Sequence, residues 1–187
     1  MRVNERGAIV VDEELKTTAP QVWAAGDVIG VNLENQMATP VGAQDGGIAA
    51  LNALTDEHRK VDHRVIPRAI FTDPELGGVG LTEAEAAEQG HDIGVVKHPL
   101  PYVTRAQYTG AKHGLYKVVF DRATRRVLGV HVVSRAASDI VGSITPALKL
   151  GLTVDDLAFM HHVYPSYSEG LKAAAEKALI PTSEAKS

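Results

Sequence analysis

Apolar positions in this chain follow two kinds of pattern. Short continuous runs at residues 8–12 (AIVVD) and 21–25 (QVWAA), bounded by glycine or charge, predict buried strands. The second run ends at Gly26-Asp27, where the chain must turn. Thr39-Pro40 then opens a helix that reaches about Leu54. Threonine suits an N-cap, and proline suits a first helical position whose N–H would be unpaired anyway. Much of that helix is small: Gly42, Ala43, Gly46, Gly47, Ala49 and Ala50. A glycine lowers helix propensity by about 1 kcal/mol, which is tolerable where something must approach closely. Residues 55–67, TDEHRKVDHRVIP, are polar, end in proline and predict a linker.

A different pattern follows. RAIFT (68–72) predicts a strand and Asp73-Pro74 a turn. Thr82 with Glu85 three residues on predicts a capped helix start. Residues 93–98, 115–121 and 127–133 predict strands, the last two joined by the charged turn RATRR. Residues 136–150 carry Ile140, Ile144 and Leu148 at helical spacing. Thr153 predicts a cap for a short helix with Asp155 and Asp156 in its first turn, where the helix dipole favours negative charge. A last helix is expected from about Tyr167 to Leu179, then a frayed tail, PTSEAKS (181–187). The expected fold class is therefore α+β over residues 68–180, a mostly antiparallel sheet with flanking helices. Residues 1–54 form an incomplete α/β segment: two strands and one helix are too little to bury a core alone.

Composition narrows the function. The chain has 187 residues, 44% hydrophobic and 22% charged, with a net charge of −4, so no global field draws nucleic acid. It has no cysteine, which excludes a disulfide, a thiolate nucleophile and a cysteine-based metal site. No apolar run approaches the ~18 residues of a membrane span, and the N-terminus has no signal-peptide core. These features predict a cytoplasmic protein that binds neither membrane nor nucleic acid. His58, His63, His91, His98, His113 and His131 show no H-x-x-x-H spacing and are expected to be structural or at the surface, with no metal site. Tyr102, Tyr108 and Tyr116 are expected to be packing residues.

Three stretches resemble one family: GAIVVDEELKTTAPQVWAAGDV followed by MATPVGAQDGGIAALNAL, then PRAIFTDPELGGVGLTEAEA, then YPSYSEGLKAAA. In order and spacing they resemble the FAD-dependent pyridine nucleotide–disulfide oxidoreductases. The first is similar to the closing segment of the FAD-binding domain (1–54), the second to the entry of the dimerisation domain (68–180), with 55–67 between. The resemblance implies that Gly26, Asp27, Met37, Ala38 and Thr39 contact FAD. Asp27 would bond the ribityl chain, and the helix N-terminus at Thr39-Pro40 would face the flavin pyrimidine edge, where unpaired N–H groups stabilise negative charge. It implies a homodimer through residues 68–180 and NAD(P)H as reductant of the parent enzyme. The family's Gly-rich folds and redox cysteine pair have no counterpart here. The chain therefore resembles the C-terminal part of a longer enzyme: a truncated gene, a split subunit joined by a separate chain carrying the N-terminal FAD and NAD(P)H folds, or an excised piece. Alone it is expected neither to hold FAD nor to turn over.

The stretch HHVYPSYSEG (161–170) carries the remaining chemistry. In the dihydrolipoamide dehydrogenase and glutathione reductase branches the similar stretch reads H-P-T-x-S-E, with a histidine acid/base oriented by the glutamate. Glu169 matches that glutamate, Pro165 the proline, and the histidine falls on Tyr164; His162 lies two positions earlier. A phenol with a reference pKa of ~10 is a poor base at neutral pH, whereas an imidazole near ~6.5 is a good one. Mercuric reductases resemble this chain in a tyrosine at that position and in SEGLKAAA, and YVTRA (102–106) resembles the same branch. Their terminal cysteine pair is absent from PTSEAKS. Tyr164 and Glu169 are thus the expected active-site arm. Read from the residues alone, Ser166 and Glu169 also fit a capping box.

Overall fold

The computed structural model describes residues 1–31 and 37–180, in two compact units, Met1–Arg64 and Val65–Ser187. The tail expected to fray, 181–187, lies outside the described residues.

In the first unit the helix forms as expected, α1 (Thr39–Leu54). The two strands do not. Among the described residues, 8–12 and 21–25 make single antiparallel bridges rather than ladders, Val3 with Ile9, Val11 with Thr17 and Lys16 with Trp23. Side chains take amides that a ladder would use: Asn4 Oδ1 accepts from Arg6 N and Ala8 N, and Asp12 Oδ1 from Glu14 N and Lys16 N. Left-handed backbone at Leu15 (φ 66°) and Gln21 (φ 61°) turns the chain again within a few residues. Leu15, Ile29, Ile48 and Ala49 nonetheless bury a small core, flanked by Trp23 and Val61.

Residues 55–64, expected as a linker, are tied to this unit. Asn52 brackets the backbone of Arg59, donating to its carbonyl (2.7 Å) and accepting from its N–H (2.8 Å). Val61 N donates to Glu13 O at 3.0 Å. His63 Nε2 meets Asp45 Oδ1 of α1 at 2.8 Å, with side chains only 5% and 1% exposed.

The second unit is a five-stranded antiparallel sheet, β1 (Arg68–Ile70), β2 (Glu75–Gly80), β3 (Ile93–Pro99), β4 (Leu115–Asp121) and β5 (Val127–Ser134), in the order β1-β2-β5-β4-β3. The β4–β5 hairpin lies at its centre, with Tyr116 opposite Val132 and Val118 opposite Val130, all buried. β2, ELGGVG, carries no strand signal in the sequence, because three of its six residues are glycines. Their cause is packing. A Cβ at Gly77 would lie 2.7 Å from the Ala137 carbonyl oxygen, and one at Gly80 (φ +76°) only 2.2 Å from that of Leu128.

The helices are α2 (Glu83–Glu88), α3 (Thr104–Thr109), α4 (Ala137–Lys149), α5 (Val154–Phe159) and α6 (Glu169–Ala175), the last continued by a 3-10 turn to Leu179. α2 and α5 begin in the capping boxes Thr82/Glu85 and Thr153/Asp156. α4 and α6 cover the buried face of the sheet, with Ile140, Val141, Ile144, Leu171 and Ala174 in its core. Ser138 at the start of α4 donates from its N–H (3.0 Å) and hydroxyl (2.7 Å) to Glu75 of β2. Arg125 in the β4–β5 turn grips Asp155 with two hydrogen bonds (2.9 and 2.7 Å) and donates to the Ala178 carbonyl (3.1 Å). Among the described residues, no helix is long and apolar enough to cross a membrane.

Candidate functional site

In the first unit, Gly26 (φ +77°) opens a 3-10 turn, Gly26–Ile29, that lies directly against α1. A Cβ on Gly42 would come 3.2 Å from Gly26 Cα. This glycine-on-glycine contact sets Asp27, exposed in that turn, beside the first turn of α1. The residue at the N-cap is Ala38, so Thr39 does not cap the helix as expected; it is the first helical residue. Ala38 has no side chain that could cap the first-turn amides, and an uncapped helix start of this kind suits an electron-rich group. Met37 (φ 51°) is exposed at the same end. Gly26, Asp27, Met37, Ala38 and Thr39 thus share one end of α1. A hydroxyl-accepting carboxylate beside open amides is a donor and acceptor set that fits FAD.

In the second unit, a cleft of about 340 Å³ is lined by His98, Tyr102, His162, Tyr164, Glu169 and Lys172, among others. Tyr164 is 70% exposed at its mouth, and Tyr102 is 72% exposed with its ring edge-on to His98, 6.3 Å between centroids. Tyr116 alone of the three tyrosines expected to pack does so fully. Its buried hydroxyl lies 3.4 Å from Ser134 Oγ, and burial pushes its pKa up to about 12. Tyr102 and Tyr108 stand in solvent.

Glu169 is the first residue of α6, but it does not close a capping box with Ser166. The Ser166 and Ser168 hydroxyls bond each other at 2.9 Å. Glu169 Oε1 instead accepts from the backbone N–H of Thr104, the first residue of α3, at 2.9 Å. Tyr167 makes a second tie to α3, its hydroxyl 2.6 Å from Thr109 Oγ1. Gly170 follows because the Tyr116 ring lies on it: a Cβ there would meet that ring at 2.4 Å. The arm is therefore held by α3 and β4.

Sequence reasoning missed two members of this cleft. His98, at the end of β3, has both ring nitrogens buried without a hydrogen bond, and His162 has its Nε2 in the same condition. Burial pushes both imidazoles below the ordinary histidine value. Lys177 lowers His98 further against an opposing pull from Glu176; Lys172 lowers His162 while Glu169 raises it. Local sequence carries no signal for His98. His162 sits in the stretch that drew attention, two residues from the position the resemblance singled out. No group of three or more His, Cys, Asp or Glu among the described residues is placed to hold a metal.

An antiparallel sheet with helices across one face, and an arm folded back onto it, has a counterpart among protein families. Residues 66–175 match the model of the pyridine nucleotide-disulphide oxidoreductase dimerisation domain, and residues 1–49 match that of pyridine nucleotide-disulphide oxidoreductase. The chain belongs to the pyridine nucleotide-disulphide oxidoreductase family. It is 40% identical over 174 residues to a mercuric reductase of Bacillus cereus, covering 93% of this chain and 27% of that protein. It is 41% identical over 176 residues to a dihydrolipoyl dehydrogenase of Thermus scotoductus, covering 94% and 37%. Among solved structures, the HOCl-induced flavoprotein disulfide reductase RclA from Escherichia coli superposes with a TM-score of 0.85 at 33% identity, over 94% of this chain and 40% of that one. This chain spans 27% to 37% of the length of those two relatives.

Proposed function

We propose that this chain forms the interface and active-site arm of an FAD-dependent NAD(P)H oxidoreductase of the disulfide or mercuric reductase type. Residues 68–180 build the homodimer interface. Gly26, Asp27, Met37, Ala38 and Thr39 supply part of the FAD site. Tyr164 and Glu169 serve the acceptor. The observation that carries the reading is the cleft itself: the two arm residues, five positions apart, line one hollow with His98 and Tyr102 from the β3 region, and Glu169 is anchored to the domain by its hydrogen bond from Thr104. The uncapped start of α1 beside Gly26-Asp27 supports the flavin contact. Exposed Phe71, Phe159 and Val163 support an interface, because apolar surface of this kind is covered in a stable assembly. The electron-carrying dithiol must come from other residues, since this chain has no cysteine.

That lack also favours a second reading, a dimerisation module without catalysis, or one half of an enzyme completed by a separate chain. Visible absorption of the purified chain, with and without added FAD and then with candidate N-terminal partners, separates them. A stoichiometric yellow complex is expected only where the α1 end engages flavin. In the FAD-loaded enzyme, Tyr164→Phe is expected to slow acceptor reduction about tenfold, the weight of one lost hydrogen-bond donor, and to leave flavin reduction by NAD(P)H intact. Unchanged turnover removes Tyr164 from the mechanism.

A further inference from the structure

We propose that His98 is an acid-sensitive latch on the arm: the seam between β3 and α6 stays closed while its imidazole is neutral and opens when the ring takes a proton, releasing Glu169 and the cleft. The latch belongs to this chain's own residues, whether or not they serve catalysis. Its basis is a ring without hydrogen bonds. Both nitrogens of His98 are buried and make none among the described residues. His98 lies one residue before the end of β3, opposite Tyr116 of β4, and α6 with its 3-10 continuation packs on β3. Lys177 of that continuation fastens the seam by donating to the Lys97 carbonyl. A neutral imidazole has one donor and one acceptor, and here neither is used. A proton would add a second N–H and a charge where no acceptor among the described residues reaches the ring, a larger cost still. The ring is therefore charged only where water meets it, which requires the seam to open.

The groups facing His98 do not remove that cost. From β4 comes the Tyr116 phenol, itself buried. The turn after β3 adds Tyr102, edge-on to the imidazole. The arm adds His161, His162 and Tyr164, and α6 adds Lys172 and Glu169, the last engaged by the Thr104 amide. Glu176 and Lys177 follow from the 3-10 turn. Lys97 and Lys117 line a separate hollow with β1 and β2. On α2, Glu83 pairs with Lys117 and Glu85 caps its own helix. Burial holds the His98 imidazole below the ordinary histidine value; Lys177 acts in the same direction and Glu176 against it. The open seam thus binds the proton more tightly than the closed one. Closure is fully favoured above the ordinary value of ~6.5 and weakens as pH falls below it. Carboxylates titrate lower, near ~4, so the latch responds first.

Amide hydrogen exchange of the full chain between about pH 7 and about pH 5.5, corrected for the intrinsic rate, tests the latch. Protection of residues 171–175 in α6 and of the Thr104 amide should fall about tenfold, the weight of one imidazole opening to water, while β4 and β5 keep theirs. His98→Leu is similar in volume and removes both nitrogens. It should shrink that loss at least about threefold and leave protection at neutral pH as high or higher. His113→Leu, at the surface, should change nothing. A loss that His98→Leu leaves intact, or one shared equally by β4 and β5, overturns the proposal. Proton NMR of the unsubstituted chain decides independently of any variant. The His98 ring should titrate below an ordinary histidine; a midpoint at or above the ordinary value overturns the latch.

Discussion

Single atoms decide several positions in this molecule. Gly170 has ordinary helical backbone but no room for a methyl group against the Tyr116 ring. Gly170→Ala is expected to destabilise the second unit by about 2 kcal/mol, the usual penalty of overpacking, read by urea denaturation. His63 and Asp45 form a buried pair in the first unit, and Asp45 Oδ2 makes no hydrogen bond among the described residues. His63→Ala leaves a buried carboxylate without its partner and should cost about 3–5 kcal/mol, seen as early loss of the Trp23 fluorescence transition. Neither effect was legible beforehand. Asp45 and His63 are 18 positions apart, and nothing in TDEHRKVDHRVIP distinguishes His63 from His58, which pairs with Glu14 at the surface. Tyr164 and Glu169 were singled out beforehand because the resemblance carried both; that they line one cleft is visible only in the structure. His98 was not, because its burial depends on α6 closing over β3.

Elements with local instructions were readable. Thr82 and Thr153 announced the starts of α2 and α5, and alternation marked β4 and β5, because caps and hairpins are written within a few residues. β2 was invisible, since its glycines answer to α4 and β5, far away in sequence. The runs at 8–12 and 21–25 misled for the opposite reason: their apolar content is real, but Asn4 and Asp12 claim the neighbouring amides. Thr153→Ala should remove about 1 kcal/mol by uncapping α5, measured as a lower denaturant midpoint with an unchanged slope. The same caps and clasps set the response to acid. Arg125 holds Asp155 below the ordinary carboxylate value, Thr153 does so for Asp156, and Ser138 for Glu75. A depressed folded-state pKa adds stability above the unfolded value and loses it as pH falls through the folded one. Stability should therefore decline from about pH 4.5 downward. Arg125→Met should flatten part of that decline in a series of denaturation curves against pH.

At the scale of the whole molecule, the family membership makes association the central expectation. Analytical ultracentrifugation of the chain is expected to give a dimer. Phe159, 72% exposed at the end of α5 just before the arm, is a natural point to disturb it. Phe159→Glu should shift the population toward monomer at micromolar concentration with little change in monomer stability, since its side chain is not in the core. A dimer insensitive to every exposed apolar substitution between 68 and 180 would move the interface elsewhere. The division into two units was partly visible in the sequence, as a change of pattern after residue 54. The attachment of residues 55–64 to the first unit was not, because polar composition says nothing about which partners the polar groups find.

The bond from Glu169 to the amide of Thr104 joins positions 65 residues apart, and it gives the arm a remote adjuster. Thr104 is the first residue of α3, preceded by extended Val103, a setting that accepts proline without strain. Thr104→Pro would thus remove the N–H that holds Glu169 while leaving every side chain that lines the cleft in place. The carboxylate, set loose, would swing, and the shape and charge of the cleft would drift although no side chain lining it had changed. One backbone amide outside the cleft thus governs how firmly a carboxylate inside it is held.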